Sequence, residues 1–237
     1  MQNIELLKNK KHWYKRWWGV ILIVLIPIFA TFLPLYIYQL TVVYKEIKAG
    51  TYIDPAVFEA QAPYKMEQII DPMSPWLGHQ EAPIKIVEFG DFNCPYCKSA
   101  SGIVRSLVAK YPDKIQFYWR NFPVTKESSV NFALAGVCSQ KQSSFWAMHD
   151  QLFQKQGAIS IGSLNEIGNQ LGLDVIQFEK CLEKDISIAQ IRKDYLAAED
   201  LQIAGTPTFF INGIKLQGVL TLSNWEEIIN KLLLIYE

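Results

Sequence analysis

Two cysteines separated by two residues are the strongest chemical feature of this sequence, in the run Cys94-Pro-Tyr-Cys97. At the start of a helix, this spacing brings two sulfur atoms close enough to form a disulfide. The helix N-terminus also presents free N–H groups and the positive end of its dipole to the first sulfur. Such sites lower a thiol pKa from about 8.5 to roughly 3.5–7.5, which stabilises the reduced form and makes the disulfide oxidising. We expect Cys94 to be the exposed nucleophile and Cys97 the buried resolving thiol.

Zinc binding and a purely structural bridge are the alternatives for this pair. Zinc needs two further ligands. The sequence has no second Cys-x-x-Cys, and its histidines are His12, His79 and His149. A bridge across two residues constrains little of the unfolded chain. Redox chemistry is therefore the favoured interpretation, with no metal and no cofactor expected.

The composition allows a sizeable core and argues against nucleic-acid binding. Half of the 237 residues are apolar, and the basic and acidic residues both number 23. A nucleic-acid partner is not expected, since such proteins usually carry a basic excess. The four cysteines stand at 94, 97, 138 and 181. This even count fits two disulfides in an oxidising compartment or four free thiols in the cytosol.

An N-terminal apolar segment decides between those compartments. Residues 17–44 contain no charged side chain, and about 20 apolar residues suffice to cross a bilayer. We predict a transmembrane anchor here. A buried core helix is seldom this long without a charge. A cleaved signal peptide is the more serious alternative, but its apolar region is usually about 7–15 residues and ends at a small-x-small site.

The basic residues predict the orientation of this anchor. Five lie just before the span: Lys8, Lys10, Lys11, Lys15 and Arg16. After the span, Lys45 and Lys48 are partly offset by Glu46. The positive-inside rule then predicts residues 1–16 as a cytoplasmic tail and exports the chain from residue 45 onward. We therefore expect a single-pass protein of the cytoplasmic membrane, with all four cysteines on the oxidising, extracytoplasmic side.

The exported part divides into a proline-containing linker over residues 45–82 and a domain over residues 83–237. The β-branched run Ile84–Phe89 predicts a buried strand. Asn93 is then placed to cap a helix from Cys94 to about Lys110. Residues Ile115–Trp119 predict a second strand.

A helical block follows over about residues 127–201. Capping patterns are present at Ser163-x-x-Glu166 and Asp174-x-x-Gln177. Asn212-Gly213 between two apolar runs predicts a β-hairpin, and Ser223-x-x-Glu226 predicts the start of a last helix. The order is strand, helix, strand, helical block, hairpin, helix.

Two longer motifs carry a family resemblance. The runs Glu88–Cys97 and Gly205–Gly213, with the helical block between them, resemble the DsbA-like branch of the thioredoxin superfamily over roughly residues 78–237. The resemblance implies an α/β, thioredoxin-like fold with a helical insertion (residues 127–201), here preceded by one N-terminal transmembrane helix. Glutaredoxins share the Cys-Pro-Tyr-Cys string, but the anchor and the insertion argue against them.

The resemblance also implies site residues. It implies a cis bond between Thr206 and Pro207, whose backbone groups could pair with a substrate peptide, and substrate contacts by Pro95 and Tyr96. Histidine in place of Tyr96 could add positive charge near the thiolate, so tyrosine predicts a milder oxidant.

Glu88 corresponds to a buried acid that would relay a proton to or from the resolving thiol Cys97. An exposed strand glutamate is the alternative.

The second pair of cysteines lies within the helical insertion. Some DsbA-like proteins carry a non-catalytic disulfide there, which implies a structural bridge between Cys138 and Cys181. Two buried free thiols and a second redox pair are the other possibilities. His149 is expected to be an ordinary helix residue, because nothing in the sequence places it near the cysteines.

The leading functional hypothesis is a thiol oxidase that introduces disulfides into exported proteins. Its expected partners are exported proteins with free thiols and a membrane reoxidase similar to the family's quinone-linked type. A disulfide isomerase or reductase, kept reduced by a membrane electron donor, is the alternative enzyme. A non-catalytic periplasmic binding or assembly module is a third hypothesis, and the intact Cys-x-x-Cys argues against it.

Overall fold

A computed structural model of the protein describes residues 17–48, 63–183 and 185–236. The chain forms two compact units, Met1–Tyr52 and Ile53–Glu237. The predicted cytoplasmic tail, residues 1–16, and residues 49–62 of the predicted linker lie outside the described residues.

The N-terminal unit is built on one helix, α1 (Trp17–Lys48), which continues through both Pro27 and Pro34. Its segment Ile21–Val42 has a mean hydropathy of 2.4 and is long and apolar enough to cross a membrane. The Thr31 hydroxyl donates to the Pro27 carbonyl at 3.0 Å, within the helix itself. This internal bond suits a lipid environment, where polar groups need partners from the protein.

The second unit contains a mixed five-stranded sheet. The strands are β1 (Trp76–Gly78), β2 (Ile84–Gly90), β3 (Ile115–Asn121), β4 (Thr208–Ile211) and β5 (Ile214–Gln217). They lie in the order β1-β3-β2-β4-β5. β2 and β3 are parallel, and each other neighbouring pair is antiparallel.

Helices cover both faces of this sheet and form the insertion between β3 and β4. They are α2 (Met66–Ile69), α3 (Pro95–Lys110), α4 (Ser129–Gln140), α5 (Phe145–Gln154), α6 (Leu164–Gln170), α7 (Val175–Leu182), α8 (Asp185–Asp200) and α9 (Leu222–Tyr236). In the described residues, the insertion contains helices and no strand. The predicted order of strand, helix, strand, helical block, hairpin and helix is confirmed.

Alternating side chains of β2 build the two cores of the sheet. Ile84 and Ile86 pack with α3 and α9 on one face. Val87 and Phe89 pack with α8 on the other face. This pattern follows from the two-residue period of a strand, and it assigns Glu88 to the face of Ile86, which α3 covers.

The sheet begins earlier in the chain than the sequence predicts. β1 lies inside the predicted linker of residues 45–82, and Trp76 pairs with Tyr118 of β3. The domain therefore includes residues before 83. A strand of three residues has no room for a recognisable alternation, so the sequence pattern does not reveal it.

The predicted helix caps have mixed outcomes. The cap at Asp174 is confirmed, because its carboxylate accepts the Gln177 backbone N–H at 3.0 Å. Ser163 does occupy the N-cap of α6, but its side chain makes no capping bond to that helix. This residue instead bonds reciprocally with Ser160 and closes a 3-10 turn before α6. The cap predicted at Ser223 is wrong by two residues, because α9 starts at Leu222 and the Thr221 hydroxyl accepts the backbone N–H of Asn224.

The hairpin between β4 and β5 forms at Asn212-Gly213, as predicted. Both residues have positive φ, 47° and 90°, which this tight turn requires. A side chain at Gly213 would place its Cβ 2.1 Å from the Tyr64 carbonyl oxygen. Glycine is therefore needed for both conformation and space.

Candidate active site

The redox turn, Asp91–Cys94, connects β2 to α3. Cys94 is the N-cap of α3 and Pro95 occupies the first helical position, where its fixed φ suits a helix start. The prediction that Asn93 caps this helix is wrong by one residue. Its side-chain amide instead donates to the hydroxyls of Ser128 and Ser129, both at 3.1 Å. Asn93 thereby ties the redox turn to the start of the insertion.

Asp91 fixes the redox turn from within. Its carboxylate accepts the backbone N–H of Asn93 at 2.8 Å. It also accepts the N–H groups of Val124 and Thr125 at 2.9 and 2.7 Å. The Asp91 side chain is buried, so these bonds replace the water contacts that it would otherwise have.

The Cys94 thiol lies against the loop that precedes β4. Its S–H donates to the Thr206 carbonyl at 3.2 Å. A hydrogen bond from the Cys97 thiol is the largest cause that lowers the pKa of Cys94 to about 6. The Thr206 side chain and backbone N–H groups of the first helical turn act in the same direction, and burial opposes them.

Cys94 is less accessible than the sequence predicts. The residue is 4% exposed, whereas Tyr96 beside it is 61% exposed. Packing against the Thr206 loop covers the sulfur, and the exposed Pro95 and Tyr96 mark where solvent reaches the site. The expectation of an exposed nucleophile is therefore corrected to a buried sulfur beside exposed residues.

Cys97 differs sharply from Cys94, although one helical turn separates them. Its side chain is completely buried, and its sulfur accepts the Asp91 backbone N–H at 3.5 Å. Burial is the main cause that raises the pKa of Cys97 well above its ordinary value. Near neutral pH, Cys94 is thus a thiolate and Cys97 a thiol.

Glu88 lies buried in β2, with 1% of its surface exposed. The alternative of an exposed strand glutamate is wrong. Burial, followed by the charge of Cys94, raises the pKa of the Glu88 carboxyl well above its ordinary value. Its Oε1 has no hydrogen-bond partner within residues 63–183 and 185–236. A protonated carboxyl in this position can hold and release a proton.

The Thr206–Pro207 bond is cis, as the family resemblance implies. The Thr206 carbonyl is the acceptor for the Cys94 thiol, so this loop and the redox turn form one site. The Thr208 hydroxyl donates to the Gly205 carbonyl at 2.7 Å and closes the loop.

Cys138 and Cys181 are joined by a disulfide between α4 and α7, with their Cα atoms 5.7 Å apart. Cys94 and Cys97 are free. The Ser187 hydroxyl lies 3.2 Å from the Cys181 sulfur. Of the three possibilities for the second pair, the structure has the bridge.

His149 is closer to the site than the sequence indicates. It is buried, and its ring lies 5.7 Å from that of Phe92 in the redox turn and 5.1 Å from that of Trp119. Burial lowers the pKa of His149, against the opposing hydrogen bond to Asp150. A neutral His149 thus packs in the aromatic layer beneath the redox turn.

Two residues that hold the redox turn are absent from the sequence prediction. Asp91 has a recognisable signal, since an aspartate often accepts the N–H two residues ahead. Gln156, whose side-chain amide reaches the carbonyls of Phe92 and Cys94, has none, because the contact spans more than sixty positions. Among the described residues, no group of three or more His, Cys, Asp or Glu could hold a metal ion.

Comparisons with known sequences locate the similarity in the second unit. A family model described as thioredoxin matches residues 70–231. A probable disulfide bond formation protein D from Bacillus anthracis is 36% identical over 149 residues, which cover 58% of this chain and 69% of that protein.

Another set of relatives shares only part of its length with this chain. The Na(+)/H(+) antiporter NhaA 1 of Salinispora arenicola is 36% identical over 143 residues, which cover 60% of this chain and 22% of the antiporter. The chain thus spans about a fifth of the length of this relative.

Solved structures give the same fold. A thioredoxin-like oxidoreductase from Silicibacter pomeroyi has 29% identity and a TM-score of 0.63, covering 68% of this chain and 92% of that one. Oxidised BdbD from Bacillus subtilis has 27% identity and a TM-score of 0.62, covering 68% and 93%. The predicted thioredoxin-like fold is confirmed.

Proposed function

This chain belongs to the thioredoxin family, and from that premise we propose that it is a thiol–disulfide oxidoreductase that introduces disulfides into exported proteins through Cys94 and Cys97. The asymmetry of the pair carries this proposal. One sulfur has a pKa of about 6, and the other, buried sulfur has a raised pKa. Such a pair has one sulfur for intermolecular exchange and one for intramolecular exchange.

The oxidising cycle starts from a disulfide between Cys94 and Cys97. A substrate thiolate attacks the Cys94 sulfur and forms a mixed disulfide, while Cys97 leaves as a thiolate and takes up a proton. A second substrate thiolate then attacks the substrate sulfur of the mixed disulfide, and Cys94 leaves as a thiolate. The substrate loses two electrons and gains a disulfide, and the enzyme becomes a dithiol.

Glu88 is the proposed proton donor for Cys97. A thiol with a raised pKa is a poor leaving group unless a proton reaches it. Burial raises the pKa of the Glu88 carboxyl well above its ordinary value, so this carboxyl keeps its proton to higher pH than an exposed glutamate does. Once the proton has left, the negative charge of Glu88 raises the pKa of Cys97. In the reverse direction the carboxylate takes the proton back.

Thr206, Pro207, Pro95 and Tyr96 are proposed to contact the substrate. The last two are exposed beside Cys94, and the Thr206 loop covers its sulfur. A substrate chain that reaches Cys94 would therefore lie between the Thr206 loop and the exposed residues Pro95 and Tyr96.

Stabilisation of the Cys94 thiolate supports the oxidising direction. A thiolate is found only in the reduced enzyme, so each interaction that favours it makes the disulfide a better oxidant. A pKa of about 6 is a moderate value within the range of about 3.5–7.5 for such sites. This agrees with the milder oxidant that Tyr96 predicts.

The proposed location is the outer face of the cytoplasmic membrane. The apolar segment Ile21–Val42 would anchor the chain, and the basic residues before it would keep residues 1–16 in the cytoplasm. A membrane reoxidase would accept the two electrons from the dithiol. The proposed location rests on the N-terminal sequence, and the proposed reoxidase rests on the oxidising direction of the reaction.

The redox state of the pair in living cells tests the direction. Cells are quenched with acid, free thiols are alkylated with a mass-tagged maleimide, and Cys94 and Cys97 are read by mass shift. We expect a mostly oxidised pair. A mostly reduced pair would overturn the oxidase and favour an isomerase or reductase.

A further inference from the structure

A second contact between the helical insertion and the redox turn, besides the bonds from Asn93, comes from Gln156. Gln156 follows α5, and its Nε2 donates to the Phe92 carbonyl at 2.8 Å and to the Cys94 carbonyl at 2.9 Å. An amide group has two N–H donors, so both are used on the redox turn. The two carbonyls belong to residues on either side of Asn93.

The partial charges of these two carbonyl groups affect the stability of the Cys94 thiolate. A carbonyl oxygen carries partial negative charge, which disfavours a thiolate close to it. The two N–H groups of Gln156 offset that charge. They also hold the conformation in which Cys94 is the N-cap of α3, where the backbone N–H groups of Tyr96 and Cys97 lower the pKa of its thiol.

We propose that Gln156 is a positioning residue that favours the thiolate of Cys94 by donating to the two carbonyls of the redox turn. It acts through the backbone of the reacting residue. This role of Gln156, a residue of the insertion, rests on the proposed function of Cys94 as the exchanging sulfur.

Other ionisable groups lie around the redox turn. They are the same in every variant of Gln156. Glu88 and Cys97 lie beneath Cys94. Asp91 is bound within the turn. The Lys98 ammonium, on the first turn of α3, lies 3.5 Å from the Gln154 carbonyl.

Three substitutions of Gln156 separate electrostatics from structure. Gln156→Ala removes both donors, Gln156→Glu keeps the size but replaces the donors with negative oxygens, and Gln156→Lys supplies donors with a positive charge. Gln154→Ala is the matched control, because that exposed side chain is two residues away. All are made in the full chain, which is purified in detergent and reduced.

The readout is the pH dependence of Cys94 alkylation by iodoacetamide, assigned by peptide mass spectrometry. We expect the alanine variant to raise the pKa of Cys94 by about half a unit. The glutamate variant should raise it by about one unit, and the lysine variant should lower it by about half a unit. The control should have the wild-type pH profile.

Opposite signs for Gln156→Glu and Gln156→Lys would support the inference, since loss of structure has no such dependence on charge. Shifts of the same sign in all three variants, or no shift in any, would overturn it. These outcomes are independent of the cellular redox state of Cys94 and Cys97. A reduced pair in cells would refute the oxidase and leave the role of Gln156 standing.

Discussion

The two cysteine pairs of this protein border the same apolar cluster, yet they are prepared for different chemistry. Cys94 and Cys97 lie at the start of α3 as free thiols, whereas Cys138 and Cys181 form a bridge between two helices of the insertion. Cys94, Cys138 and Cys181 are all less than 10% exposed. Burial therefore does not distinguish a reactive sulfur from an inert one.

The position of each pair in the secondary structure makes the difference. Cys94 meets N–H groups at a helix start and the Thr206 loop, and these lower its pKa. Cys138 lies near the end of α4 and Cys181 near the end of α7, where helices present carbonyl groups that disfavour a thiolate. The second pair also closes a loop of 43 residues, which constrains the unfolded chain.

Removing the Cys94 sulfur should show the largest difference between the two cysteine pairs. Cys94→Ser should reduce disulfide formation in a reduced model substrate by about 10³-fold or more, because the disulfide with Cys97 can no longer form and the substrate thiolate has no sulfur to attack. The measurement is the rate of reactivation of a reduced, unfolded disulfide-containing enzyme. Activity close to wild type in Cys94→Ser would exclude Cys94 as the exchanging sulfur.

Removing the second pair should affect stability instead. The double variant Cys138→Ala, Cys181→Ala should lower the free energy of unfolding of the domain by about 4 kcal/mol in the chain-entropy model. Denaturant unfolding followed by circular dichroism measures this. The exchange activity at low temperature should stay within about twofold of wild type, and its loss would make the second pair a redox site.

Glu88→Gln tests whether Glu88 supplies the proton that Cys97 takes up. Glutamine keeps the size of the side chain but cannot donate a carboxyl proton, so exchange at neutral pH should slow by about 100-fold. Stopped-flow tryptophan fluorescence of the oxidised protein mixed with a dithiol gives this rate. A wild-type rate would show that Cys97 receives its proton from elsewhere.

The same variant gives a pH dependence of stability. The folded pKa of Glu88 is raised above the ordinary 4.5, so the folded protein binds more protons than the unfolded chain between those two values. The unfolding free energy of wild type relative to Glu88→Gln should therefore fall as pH rises above about 4.5, by up to about 1.4 kcal/mol per pH unit until the folded pKa is reached. Denaturant unfolding at several pH values between 4 and 8 measures this. A difference that is independent of pH would mean that Glu88 is already charged in the folded state.

Tyr96→His should have the smallest effect. An imidazolium beside Cys94 would lower the pKa of that thiol below 6 by about half a unit, and the effect is modest because the position is largely exposed and screened by solvent. Thiolate absorbance at 240 nm as a function of pH measures the shift. Tyr96→Phe adds no charge and should leave the pKa unchanged.

The sequence predicts what depends on neighbouring residues. The strand before the redox turn, the helix start at Cys94 and the hairpin at Asn212-Gly213 are local patterns, and the structure has all three. The cis bond at Thr206 came only from the family resemblance. The residue type of Asn93 predicts a helix cap, but Cys94 occupies that position, and the side chain of Asn93 contacts the insertion instead.

Long-range contacts were not predictable. The bond between Gln156 and the redox turn and the packing of His149 against Trp119 join distant parts of the chain. No periodicity marks either one. The sequence does not predict β1 for a different reason, since a strand of three residues carries too little pattern.

The hydrogen bonds between the redox turn and the helical insertion have a consequence for protein engineering. A miniature version made by deleting residues 127–201 would keep Cys94, Cys97 and the whole sheet. It would lose Ser128, Ser129 and Gln156, the partners of the redox turn. The helical insertion is thus no detachable module, and a trimmed scaffold would need a substitute for each of these three contacts.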